Sequence, residues 1–439
     1  MKLRLIIAFV LVLSGNAFGQ NRFIDSFNVY NTLANRNANI TTISDGNSYY
    51  FMEAKDIFIA YMYMYIVTKD TDYSNYCKRM ITTMRSTAQV SSTIPGNIYG
   101  YKDSYYGWIA KSPADPSVVN LEVPLYESYL TAPIFQFIYY YSLWGGEPSW
   151  VSDNLQWFTD NLWTKWKKRS SAGAGAAYPY RNFLRNRTHD GAHWAIVATV
   201  LTKIGLADSI KTQANDVVGQ YDLLLQRNIK NHPTIAGAST WNGSYDNITG
   251  TQAGVAPVTP VAADVSHANH TVRYMCFAQE LGNPLYTWAK NKKVANLIKG
   301  LYKNDGTFWD MFDGTFNPNR GGNWGNYQGD GWILFSKYDS SLFNIYKSIL
   351  ENYPAVSKGY GQTYDYRANL ALAYYKINTV GPDTARRDTT NNLAVLPKRK
   401  TIAVPDETVT FGELDNVTGV VSDDKKYHII QLGENQSSY

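Results

Sequence analysis

The chain has 439 residues, 44% of them hydrophobic, and 41 basic against 36 acidic side chains give it a formal charge of +5. A sizeable core is available, and so weak a positive balance, with no basic run, excludes a nucleic-acid footprint. Residues 1–19 read as an export leader: Lys2 and Arg4 are the positive end, Leu5 to Leu13 the apolar core, and Ala17-Phe18-Gly19 a small-residue cleavage site. That apolar core is too short to span a bilayer, and no other stretch is long enough. A secreted or periplasmic protein without membrane insertion is expected, with a mature charge of +3 once Lys2 and Arg4 are removed.

After the leader, a helix-pair plan repeats. Phe51–Thr68 is apolar at helical spacing, and Asp70-Thr71-Asp72-Tyr73 turns the chain into a second helix over Ser74–Thr87. Tyr126–Leu143 is followed by a helix reaching about Lys167, Gly191–Ile204 by one reaching about Gln226, and His267–Leu281 by one reaching about Leu301. Gly331–Lys337 with Ser340–Asn352 form a further pair, and Thr363–Ile377 a last helix. Tight Gly or Asp turns within pairs mark antiparallel hairpins. The first helix of each pair is apolar nearly all round and is expected to be buried on both sides, whereas the second carries more Lys, Asp and Asn. Inner helices ringed by outer ones describe an all-α (α/α) toroid of six or seven pairs over residues 20–379. A stacked solenoid is the rival arrangement. Residues 380–439 turn rich in Pro, Thr, Asp and Lys, with β-like runs at Thr401–Val404 and His428–Leu432, and read as a small appendage in which His428 is structural.

The connections between pairs are long: about 88–125, 168–189, 229–266 and 302–330. Antiparallel pairing gathers them at one end, and connections of such length are usually functional. Chemistry-bearing residues cluster there, at the N-terminal ends of inner helices. Glu122 and Tyr126 precede or begin one. Asn186, His189 and His193 begin another, and His267, Asn269 and His270 a third. Arg320, Trp324, Tyr327 and Asp330 precede the next. Four of the six histidines thus fall in two short segments, His189 and His193 four apart, His267 and His270 three apart, so each pair shares one helix face. Histidine exchanges protons near neutral pH, and helix N-termini favour anions.

Three other chemistries stay open on the residues alone. Four imidazoles on two helices could hold zinc with Asp190 or Asp264, though no tight metal motif is present. Glu122, Asp190, Asp264, Asp310, Asp313 and Asp330 supply carboxylates for a glycoside hydrolase, although Asp190 and Asp264 read equally well as helix caps. A glycan-binding protein without activity is the third. The 35 Tyr and 12 Trp suit sugar stacking as well as core filling. Cys77 and Cys276 lie inside predicted helices; export permits a bond between them, and two buried free thiols are the other reading.

The Asn, His, Tyr and Arg set suits β-elimination of a uronic-acid glycan. There the carboxylate beside the departing proton must be neutralised while one group takes that proton and another protonates the leaving oxygen. On the segments Asn186–Trp194, Asp264–Arg273 and Arg320–Tyr327, within a helical region of about 50–377, the chain resembles the (α/α)-toroid polysaccharide lyases and, among them, most closely polysaccharide lyase family 38. The resemblance implies action on an alginate- or glucuronan-type polyuronate, with no obligatory cofactor or metal. The Asn-His pair that is adjacent in related alginate lyases is separated here, as Asn186 and His189. On this reading Tyr327 transfers the proton, His193 and Asn186 neutralise the carboxylate or share the base role, His267 completes the catalytic set and Arg320 holds the acidic substrate. His189, His270, Asn269, Glu122, Tyr126, Tyr178, Trp324, Tyr364 and Arg367 are the expected substrate contacts. The protein is expected to act as a monomer.

Overall fold

Helices that are apolar on every side alternate along the chain with helices that have a charged face, and this alternation dictates which of them are covered. A computed structural model describes residues 22–94, 101–113, 116–170, 179–185, 187–244, 262–316, 324–353, 365–379, 417–421 and 428–432. The chain divides into two compact units, Met1–Gln279 with Asn283–Asn378, and Glu280–Gly282 with Thr379–Tyr439.

The first unit is mostly helical. After a helical stretch at 22–28 come α1 (Leu33–Thr41), α2 (Phe51–Thr68), α3 (Thr71–Ser86), α4 (Pro124–Leu143), α5 (Pro148–Phe158), α6 (Lys165–Ser170), α7 (Thr188–Ile204) and α8 (Asp208–Asn228). Then follow α9 (Val265–Glu280), α10 (Trp288–Gly300), α11 (Asp330–Leu334), α12 (Ser340–Asn352) and α13 (Asp365–Thr379). Two-residue strands make two small hairpins: β1 (Gln89–Val90) with β2 (Tyr106–Gly107), and β3 (Lys230–Asn231) with β4 (Ser239–Thr240), both antiparallel.

α2, α4 and α7 are buried nearly throughout, including Phe58, Met62, Phe135, Ile138, Ile196 and Val200. Each such side chain contributes about 1.5–3 kcal/mol by leaving water. α4 packs between α2 and α7, while α3 lies on α2, α5 on α4 and α8 on α7. Turns within pairs are short because caps end and restart the helices. Lys69 takes a left-handed φ of 61° after α2, and Asp70 accepts from Asp72 N (2.9 Å) to start α3. Asp339 does the same for α12 through Ser341 N (3.0 Å). α5 runs into α6 through a π-helical stretch, Thr159–Thr164, whose Asn161 Oδ1 accepts from Tyr106 N (2.9 Å).

The all-α expectation holds for this unit. Cys77 and Cys276 are both buried thiols, not joined by a disulfide. No described helix is long and apolar enough to cross a membrane. In the second unit, β5 (Val417–Val421) pairs antiparallel with β6 (His428–Leu432), with Val417 opposite Leu432 and Val421 opposite His428. The expected run at Thr401–Val404 lies outside the described residues.

Candidate functional site

The loops fix where α7 and α9 begin. Thr188 N donates to Gly243 O (3.0 Å) and Val265 N to Asp310 O (2.8 Å). Trp332 Nε1 reaches Val265 O (2.8 Å) from α11. α7 starts at Thr188, three residues earlier than the spacing suggested, so His189 and His193 both lie inside the helix, as His267 and His270 do in α9. Asp190 consequently sits within the first turn of α7 and is not its cap, a correction to the capping reading. Asp264 does cap α9, accepting from His267 N at 2.8 Å.

These starts bring the four histidines together. The His189 and His267 rings are 4.4 Å apart, His193 and His270 4.5 Å, and His189 and His270 6.4 Å. Tyr129 of α4 meets His193 edge-on at 4.8 Å and His270 at 5.7 Å. Two histidines have carboxylate partners. His267 Nδ1 is 2.7 Å from Asp264 Oδ2. His189 Nε2 is 2.8 Å from Asp190 Oδ1. The other two have none: neither nitrogen of His193, nor Nδ1 of His270, has a hydrogen-bond partner among the described residues. Buried polar groups without partners are rare, and active sites are one place they occur.

The electrostatics separate the pairs. Burial, with the charges of Arg273 and Lys55 added, holds His193 well below the usual histidine range. Burial also depresses His270, helped by His193 and Lys55. His189 is lowered by burial, against the pull of Asp190. Burial would raise Asp264, but the hydrogen bond and charge of His267 outweigh it and keep the carboxylate ionised. The result is three imidazoles whose basicity burial lowers, His193 the most enclosed and His270 half-buried, beside His267, which Asp264 orients and whose side chain is 29% exposed. Among the described residues, no group of three or more His, Cys, Asp or Glu side chains has the geometry to hold a metal ion.

A second buried network joins α2, α4, α9 and α11. Asp330 accepts from Tyr63 Oη (2.6 Å) and Asn269 Nδ2 (3.3 Å) and lies 3.6 Å from Arg273 Nε. Arg273 also donates to Gln136 Oε1 (3.0 Å), while Asn269 Oδ1 accepts from Trp332 N (3.1 Å). Asn269 is thus 3% exposed and joins α9 to α11, which does not fit a direct substrate contact.

Glu122 needs a larger correction. It is buried with Lys165 (3.2 Å), Arg169 (3.2 Å) and Ser91 (3.0 Å), while Lys165 also holds Glu127 at 2.8 Å. Lys165 and Arg169 keep Glu122 below the usual carboxylate range although burial alone would raise it. Glu122 therefore clasps the 101–110 segment to α4 and α6 and cannot meet a substrate from where it is. Gly107 shows how tight this clasp is, since a Cβ there would fall 1.9 Å from Glu122 Oε1.

Tyr126 is partly exposed, stacked on Tyr129 (6.5 Å) and edge-on to Tyr49 (5.7 Å), an aromatic approach to the histidines. Arg367 donates to Ser26 Oγ (2.6 Å) and lies over the Tyr30 ring (4.6 Å), so it braces the N-terminal segment. Tyr327 is 54% exposed on the loop before α11. Asn186, Tyr178, Arg320 and Tyr364 lie outside the described residues, as does the Trp324 side chain.

Sequence reasoning missed Lys55, Asp56, Tyr129, Arg273 and Asp365. Lys55 is 5% exposed and pairs with Asp56 at 2.5 Å. Asp365, the buried first residue of α13, is pushed well above the carboxylate range by burial and by the Asp56 charge. The available signal was a Lys-Asp pair within two turns of the start of a helix that is apolar from Ile57 to Val67. The chain matches no protein-family model, and no curated protein matches it.

Proposed function

We propose that the chain is a secreted or periplasmic (α/α)-toroid polysaccharide lyase that cleaves a uronic-acid-containing glycan, of alginate or glucuronan type, by β-elimination. The observation that supports this most is the meeting of four histidines from two helix starts, two beside carboxylates and two, His193 and His270, held well below the usual histidine range. The toroid itself is supported by the alternation of fully buried helices with amphipathic partners.

Burial moves the base role from His193, 1% exposed, to His267. With Nδ1–H directed to Asp264, His267 Nε2 is the basic nitrogen and takes the proton from the carbon beside the uronate carboxylate. The electron pair forms the new C=C bond, the glycosidic C–O bond breaks, and the departing oxygen takes a proton from Tyr327. Lys55 and Arg273 bring positive charge near His193 and His270, each beside a carboxylate of its own, Asp56 and Asp330. Asn186 and Arg320 keep their proposed roles of neutralising and holding the carboxylate.

Incubation with alginate, glucuronan, pectate and glycosaminoglycans, read by ultraviolet absorbance of the unsaturated product, is the direct test. Absence of signal on every acidic glycan rejects the reading. One observation favours a second reading: Asp365 held protonated beside Asp56 has the pattern of a hydrolase acid with its partner carboxylate. Reducing ends released without ultraviolet absorbance, and lost in Asp365→Asn, would establish it instead.

A further inference from the structure

A groove away from the histidines lies between α8, α10 and the β3–β4 hairpin, above Met275 of α9, with a cavity volume of about 330 Å³. That is within the range of small-molecule pockets. Its floor is apolar, from Met275 and Val294 with the ring of Tyr286. The Tyr286 hydroxyl is turned back to Asp222 (2.6 Å), which is also held by Tyr274 (2.7 Å) and Asn283 (2.7 Å), so that carboxylate is fully occupied behind the floor.

The rim is charged in one sense only. Lys230, Lys290 and Lys293 line it, and no carboxylate is among the lining residues. Lys290 and Lys293 are three apart on α10 and so share a face, while Lys230 comes from β3, whose partner β4 packs on α10. The ammonium groups are therefore carried by two elements braced against each other. Among the described contacts, only Lys290 has a partner, Gln226 Oε1 at 3.3 Å.

We propose that this groove is a second binding site, taking an acidic sugar. A pyranose has an apolar C–H face for Met275, Val294 and the Tyr286 ring, and a carboxylate for the lysines. A bare inorganic anion would leave the floor unused. The inference rests on the groove alone and does not require the histidine cluster to be a lyase centre.

The test uses the full mature chain with His267→Ala, so that no substrate is consumed, and labelled methionine methyls. A saturated uronate trisaccharide should move the Met275 methyl resonance, and calorimetry should show binding that weakens with salt. Lys230→Gln with Lys293→Gln should weaken it at least tenfold, and cellotriose should not bind. Unchanged affinity in the double variant, a silent Met275 resonance, or equal binding of cellotriose or sulfate each overturns the proposal. Glycan cleavage by the double variant with His267 intact is read separately, so loss of the groove and loss of the lyase reading are distinguishable.

Discussion

Acidifying the protein from pH 7.5 to 5.5 should remove stability that the enclosed histidines supply. His193 is 1% exposed with neither nitrogen bonded, and burial holds it well below the usual range, as it does His270. A histidine kept neutral binds fewer protons folded than unfolded, so its contribution is fully present above about pH 6.5 and is lost as pH falls below it. By linkage, one such group loses about 1.4 kcal/mol between pH 7.5 and 5.5, and two lose about 3 kcal/mol. Asp190 and Asp264 are shifted below the carboxylate range, so their contribution is lost only at more acidic pH; His189, lowered by burial, adds to the loss in this window, and Asp365, raised by burial, works against it. Urea unfolding at constant ionic strength, repeated across this pH range, measures the loss. His193→Gln removes one titrating site, and the pH-dependent loss should shrink by about 1.4 kcal/mol whatever the variant's absolute stability. An identical pH slope in the wild type and the variant would refute the reasoning.

Asp264→Asn separates two roles, because Asn caps a helix as well as Asp does but has no charge to orient His267. The melting temperature should stay within a few degrees, while kcat on the uronate falls tenfold or more and the acidic limb of its pH profile moves. His267→Ala should cost 10²- to 10⁴-fold in kcat, the usual range for a general base. Tyr327→Phe should leave stability within about 0.5 kcal/mol, as for exposed sites, and full retained activity would remove Tyr327 from the mechanism. Lys165→Met leaves Glu127 buried without its cation, and Glu122 with Arg169 alone, and should cost about 3–5 kcal/mol in chemical unfolding. Cys77 and Cys276 should react with a thiol reagent only on unfolding, and a reductant should leave the melting temperature unchanged.

The limits of α2 and α12 were legible to the residue, since both runs are bounded by turn chemistry the sequence spells out. The meeting of the histidines was legible too, because it needs only that two helices of one pattern start at the same end. Glu122 was not. A carboxylate before a helix reads as exposed until Lys165 and Arg169, more than forty residues away, are known to close over it. Lys55 and Asp56 escaped notice because they interrupt an apolar run, where charge looks like a lapse in the pattern, and Asp365 because nothing local marks its first-turn carboxylate as buried. Asn269 looked like its histidine neighbours, yet its side chain is spent on Asp330 and the backbone of Trp332.

The first amide of α9 is held by the carbonyl of Asp310, and the side chain of that same residue holds Gly325 N at 2.7 Å. One aspartate thus ties the helix start that carries His267 to the loop that carries Tyr327. A polymer bound by that loop would pull on the helix start as well, so Tyr327 and the proposed proton acceptor His267 would move as one piece. Grip on the chain and readiness for proton transfer would then be mechanically linked, and a loose or misplaced polymer would leave both unset.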